Sequence, residues 1–256
     1  MYRKKILVVT LVSFLSIFVL FGCLPSTPKK PQEEETPQEL VLRVNLPETT
    51  PATATIYLVG DYCGWQSGWE SGNAKSSEVK TDNEQMYAEF ILDFDTADYP
   101  IQYKYTYGAS WDYEELDENG RGLDGNRRID VKPDKDIQDV VLNWKGKDKI
   151  DYTDLQEEIT VTFVVNVPEG TEDDEGKIYM RGLNGDWDTG YQLNKTGETY
   201  TLSETTTSYT VQKYKFLRNN DWDYVEKDES GEDIGNRVTI LTGDSTIVSV
   251  VEGWAQ

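Results

Sequence analysis

An all-β chain built as two β-sandwiches in tandem is the fold this sequence predicts, on three observations. Apolar residues alternate with polar ones at period two: Leu40, Leu42, Val44 and Leu46 in one place, Ile159, Val161, Phe163, Val165 and Val167 in another. That is the pattern of half-buried strands. Clusters of Gly, Asn, Asp and Pro interrupt the apolar segments at short intervals, as hairpin turns do. Finally the chain repeats itself: "YKYTYGASWDYEELDENGRGLDGNR" from Tyr103 returns as "YKFLRNNDWDYVEKDESGEDIGNR" from Tyr214.

At the N-terminus, Arg3, Lys4 and Lys5 precede an apolar run from Ile6 to Phe21, the layout of a secretory signal peptide over residues 1–22. The run closes on "LFGC", which resembles the lipobox of bacterial lipoproteins. The resemblance implies lipidation of Cys23 and attachment to a membrane through that lipid. Residues 23–38 are rich in Pro and Glu and nearly free of apolar side chains. Such a segment cannot bury enough surface to fold, and it reads as a disordered tether. The body is therefore expected in the cell envelope, lipid-anchored and exposed outside the cytoplasm.

The repeat divides the body into a first sandwich at 39–146, a linker at 147–157 and a second sandwich at 158–256. "IYLVGDYCGW" ending at Trp65 matches "IYMRGLNGDW" ending at Trp187; the two "GNR" triplets and the pair Trp144 and Trp254 match at an offset of 110. Six of the seven tryptophans fall into matched pairs. Trp69 is the exception, inside the extra stretch "QSGWESGNAKSSEVKTDNEQ" of the first copy. A period of about 100 residues is that of a whole small domain, not of a solenoid unit. "DENG" and "DESG" sit where tight turns are expected.

Composition excludes several functions. The chain carries 47 acidic and 25 basic residues, a net charge of −22. Phosphate backbones require basic patches, so no nucleic-acid partner is expected. Anionic lipid would repel the body, leaving the lipid on Cys23 as its attachment. His is absent, which removes Ser-His-Asp and Cys-His nucleophiles and imidazole zinc sites. With Cys23 assigned to lipid, Cys63 has no partner for an intramolecular disulfide. "DENGRGLD" and "DESGEDIG" miss the ligand spacing of a calcium loop, so no metal or cofactor is assigned. Two sandwiches use up the body and leave no room for a catalytic barrel, so no enzyme is expected.

On strands "YKY" and "YKF", Tyr103, Tyr105, Tyr214 and Phe216 face the core, whereas Lys104 and Lys215 point to solvent. Trp111 and Trp222 follow in the next turns, and Trp65 and Trp187 lie in Gly-rich loops. Clustered exposed indoles can stack on the C–H faces of sugars while a lysine donates to hydroxyls. Trp144 and Trp254 read as plugs of the sandwich, and Arg127 and Arg237 as partners of acidic neighbours. The ordered set "YLVG…W", "YK(Y/F)", "W…E…NR" and a closing Trp resembles the starch-binding modules of carbohydrate-binding family 20, which are immunoglobulin-like antiparallel sandwiches. The resemblance covers both copies. It implies a non-catalytic surface lipoprotein that binds α-glucans such as starch, glycogen or maltooligosaccharides, beside an amylolytic enzyme or a sugar transporter. It implies one site at Trp65, Lys104, Trp111 and Asn126, and another at Trp187, Lys215, Trp222 and Asn236. A glucan long enough to span both sites is expected to gain avidity. The family usually runs "WE" straight into "NR", whereas an acidic hairpin intervenes here. The other reading is a structural or protein-binding envelope module, since this sandwich hosts many roles.

Overall fold

The computed structural model describes residues 39–95, 98–171 and 177–255. The signal peptide, Cys23 and the tether lie outside the described residues. Those residues form an all-β sandwich, and their one α-helix is short, Gln66–Ser71. No helix among them is long and apolar enough to cross a membrane.

Alternation does what it predicts. In the first half Leu42 and Val44 point inward from the central strand Leu40–Asn45, which pairs antiparallel with Gln85–Leu92 and parallel with Ile137–Val140. The second half repeats the arrangement around Glu158–Asn166, flanked by Thr199–Thr207 and Ser245–Val250. Each of these four-stranded sheets covers one half of a single eight-stranded sheet. The order across that sheet is Tyr191–Gln192, Ile178–Arg181, Thr210–Arg218, Arg237–Leu241, Asn126–Ile129, Ile101–Thr106, Thr55–Gly60 and Lys75–Glu78. One core gathers Leu42, Val44, Phe90, Tyr105 and Trp144; the other gathers Val161, Phe163, Met180 and Phe216. Trp144 is fully buried and donates to Thr50 Oγ1 at 2.8 Å, while Trp254 donates to Thr171 Oγ1 at 3.0 Å. The extra stretch of the first copy supplies the helix and strands Lys75–Glu78 and Lys80–Asp82.

Each half contains a buried ion pair drawn from its "E…NR" motif. Arg127 donates to both oxygens of Glu115, Nε to Oε1 at 3.2 Å and Nη2 to Oε2 at 2.8 Å, and Glu115 Oε1 accepts the Tyr105 N–H at 3.0 Å. Arg237 and Glu226 repeat this, with the Phe216 N–H on Glu226 Oε1. The third member differs. Asp139 stands 3.5 Å from Arg127 and accepts the hydroxyls of Tyr103 and Tyr105. Its counterpart in the second copy is Ser249. The missing carboxylate comes from the first half instead: Arg237 Nη1 lies 2.6 Å from Asp130 Oδ2. Burial disfavours both guanidiniums, but their carboxylates outweigh it and push both pKa values up.

The halves meet strand to strand. Arg237–Leu241 runs parallel to Asn126–Ile129, with Arg237 opposite Asn126 and Val238 opposite Arg127. A third apolar cluster spans the seam, with Leu123, Val140 and Leu142 on one side and Val238 and Ile240 on the other. The segment 147–157 contributes Ile150 and Tyr152 to it, and the Tyr152 ring stacks on Tyr209 at 5.3 Å. The unexpected acidic hairpins also work here: Glu118 Oε2 accepts the Val211 N–H at 3.0 Å.

Candidate functional site

Strand Thr55–Gly60 leads into a tight turn at Asp61–Cys63, and Trp65 follows Gly64 with φ of +57°, which turns its indole out of the strand path. Trp111 opens a one-turn helix that Ser110 caps by accepting the Asp112 N–H at 3.1 Å. The two indoles lie 6.2 Å apart at a tilt of 39°. Trp65, Lys104, Trp111 and Asn126 line one groove of about 300 Å³ together with Glu114. All four residues assigned to the first copy thus share a single concave surface. Among the described residues Lys104 makes no ion pair, and Asn126 donates to Gln102 Oε1 at 3.1 Å.

Trp69 was not assigned to the site, yet it meets Trp111 edge-on at 4.8 Å. Beneath the indoles lies a small apolar cluster of Val59, Cys63 and Ala74. Cys63 is a free buried thiol, bonded to the Gly60 backbone at 3.3 Å. It is part of the footing under the tryptophans.

The second copy keeps the indole pair and changes what supports it. Trp187 and Trp222 are 6.1 Å apart at 35°, and Trp222 is 43% exposed. Asp221 caps the turn of Trp222 as Ser110 does that of Trp111, at 3.0 Å. Where the first copy has Val59, this one has Arg181. Its guanidinium lies 5.5 Å from the Trp222 ring and is fixed by Asn220 Oδ1, the Asn220 carbonyl and the Trp187 carbonyl at 2.8, 3.0 and 3.3 Å. Gly182, with φ of +97°, lets Trp187 lie where any Cβ would clash with it at 2.6 Å.

Two expectations need correction in the second copy. Lys215 does lie on the outer side of its strand, but it is only 8% exposed and does not reach freely into solvent. Arg181 sits directly opposite it in the register. Burial lowers the Lys215 pKa, with Glu226 pulling the other way. Asn236 is turned to the seam, donating to the Asp124 carbonyl at 3.4 Å, while its counterpart Asn126 lines a groove. Tyr113 packs on Tyr107 at 4.8 Å, and Tyr224 is exposed.

No family model matches the chain. Among known proteins it is similar to an amylopullulanase of Thermoanaerobacter thermohydrosulfuricus, 36% identical over 102 residues. That match takes in 38% of this chain and 7% of the amylopullulanase, a length close to one repeat. Among solved structures, a gamma-CGTase from the alkalophilic Bacillus clarkii matches 76% of this chain and 23% of its own, at 13% identity and a TM-score of 0.30. A leucine-rich repeat protein from Bacteroides thetaiotaomicron matches 82% of this chain and 26% of its own, at 9% identity and a TM-score of 0.21.

Proposed function

We propose that the chain is a non-catalytic α-glucan-binding lipoprotein of the cell envelope, with two immunoglobulin-like starch-binding modules at 39–146 and 158–256 tethered through Cys23. The observation that carries this reading is the recurrence of one tilted tryptophan pair, at 6.2 and 6.1 Å, with Lys104 and Asn126 lining the groove of the first pair. Two indoles tilted by 35–39° form a shallow V, which suits the curved, C–H-rich face of an α-linked glucan. Lys104 and Asn126 border the first V and supply donors for ring hydroxyls. The partial similarity to an amylopullulanase, an enzyme named for starch-type glucans, supports the same ligand class. The recurring carboxylates support a binding role, since Glu115 and Glu226 are fully buried and committed to arginines. An amylolytic enzyme or sugar transporter of the same envelope is the natural user of the captured polymer.

Tryptophan fluorescence of residues 39–256, titrated with a maltooligosaccharide series, tests the reading. The expected result is a saturable change with α-glucans and no reducing ends released on prolonged incubation. No response to any α-glucan, or steady hydrolysis, would overturn it. Recovery of a specific protein partner by a glucan-blind chain would favour the envelope-scaffold reading instead.

A further inference from the structure

We infer that the two platforms hold separate polysaccharide chains, so that one molecule bridges two glucans instead of clamping one; this rests on the glucan binding proposed above. The inference comes from the register of the shared sheet. Paired residues on neighbouring strands point to the same face, and successive residues to opposite faces. Tyr103 pairs with Arg127, both directed into the first core, and Tyr214 with Arg237, both directed into the second. Across the seam Arg237 pairs with Asn126, a platform residue, and Val238 pairs with buried Arg127. The core side of each half is therefore the platform side of the other.

Contacts on both faces agree with this inversion. On the first platform's side, Asp130 reaches Arg237 and Arg128 reaches Glu252 at 2.6 Å each, both lying within the second half. On the opposite side, Val211, Val238 and Ile240 of the second half pack with Leu123, Val140, Leu142 and Tyr152 of the first. The strands bearing Lys104 and Lys215 are separated by the two seam strands. Three inter-strand steps span ~14 Å and add a twist of ~60–75°. Subtracted from a half-turn, that twist leaves the two outward directions more than a right angle apart.

The acidic hairpins stand at the seam between them. Asp228, Glu229 and Ser230 of the second half wall a cleft of about 400 Å³ on the first platform's side, together with Asp61, Gln102, Arg128 and Glu252. On the second platform's side, Glu118 and Asp124 of the first half bond to Val211 and Asn236 at the seam. A glucan leaving one platform toward the seam meets the partner half's hairpin, not its tryptophans. The avidity expected of two sites on one short linker gives way to cross-linking.

A sandwich assay separates the two. Residues 39–256 are bound to surface-immobilised amylose, and capture of fluorescent soluble amylose from solution is measured. Calorimetry with a short maltooligosaccharide counts the sites. The expected outcome is two short ligands per wild-type chain, capture by the wild type, and loss of capture in both Trp111→Ala and Trp222→Ala, each retaining one short-ligand site. Trp65→Ala and Trp187→Ala serve as second variants should either of the first misfold. Affinity for long over short glucan, per site, is expected to rise less than about tenfold, against the ~10²–10⁴ of simultaneous engagement of one chain. Two sites without capture, a single site in the wild type, or capture surviving both single variants would overturn bridging alone. Absence of all short-ligand binding would overturn the glucan reading itself.

Discussion

Trp69 shows how a residue can matter to a site and escape a reading based on repetition. Trp65, Trp111, Trp187 and Trp222 stand out in the sequence because each has a counterpart, and Trp69 has none. Its indole nevertheless braces Trp111 at 4.8 Å, edge against face. Aromatic pairs of this geometry contribute about 0.5–1.5 kcal/mol beyond burial. Trp69→Ala is therefore expected to weaken short-oligosaccharide binding at the first platform by about two- to tenfold. Calorimetry on a Trp222→Ala background isolates that site, and an unchanged affinity there would remove Trp69 from the platform. Arg181 escaped for a related reason: it aligns with Val59, and nothing in the sequence says that a guanidinium replaces an apolar footing. Period-two alternation correctly turned Tyr103 and Tyr105 inward, yet it could not see that Lys215, on the outer side of its strand, would be buried. Side-chain direction is local and legible, whereas exposure depends on the neighbouring strand.

The strands themselves were legible from the same alternation, but their partners across the seam were not. Asn126–Ile129 and Arg237–Leu241 would be edge strands of separate sandwiches, and backbone pairing at an edge leaves little mark on side-chain identity. One residue does betray the contact once the fold is known. A Cβ at Gly125 would lie 2.6 Å from the Asn236 carbonyl oxygen and 2.6 Å from Val238 Cγ2. Gly125→Ala is expected to force the seam strands apart and cost ~1–3 kcal/mol, as overpacking does. Gly122→Ala, with open space around its Cβ, is the matched control and should leave the melting temperature nearly unchanged. Equal melting temperatures for the two variants would show that the seam yields freely. The acidic hairpins were visible in the sequence as "DENG" and "DESG". The partner of the first was not, because Glu118 binds a backbone N–H, at Val211, that carries no sequence signature.

For the whole molecule, the seam makes stability a shared property. Burial pushes Tyr152, in the seam cluster, up to about 12, with Tyr209 and Glu48 adding to the effect. Burial likewise pushes Tyr214, in the second core, up to about 12. Both folded-state values exceed the ordinary tyrosine value of 10.0, so the folded chain holds protons that the unfolded chain loses between those limits. The contribution of these two tyrosines to stability should be constant up to pH ~10 and fall as pH rises toward ~12, and Tyr152→Phe should flatten part of that decline in urea titrations. The strongest test of shared stability is to separate the halves. Residues 158–255 alone lose Asp130 from Arg237, uncover Val211, Val238 and Ile240, and open Arg237–Leu241 as a bare edge. Removing one partner of a buried ion pair costs up to ~3–5 kcal/mol, so the isolated half should unfold at a much lower denaturant concentration than the full body. Ser249 stands where the first copy places Asp139, so Ser249→Asp can return the missing carboxylate to Arg237. In the isolated half that substitution is expected to stabilise. In residues 39–256 it would set a second carboxylate against Asp130 beside one guanidinium, and it is expected to destabilise. Opposite signs in the two contexts would identify Asp130 as the element that makes the halves one cooperative unit, and the same sign in both would refute it.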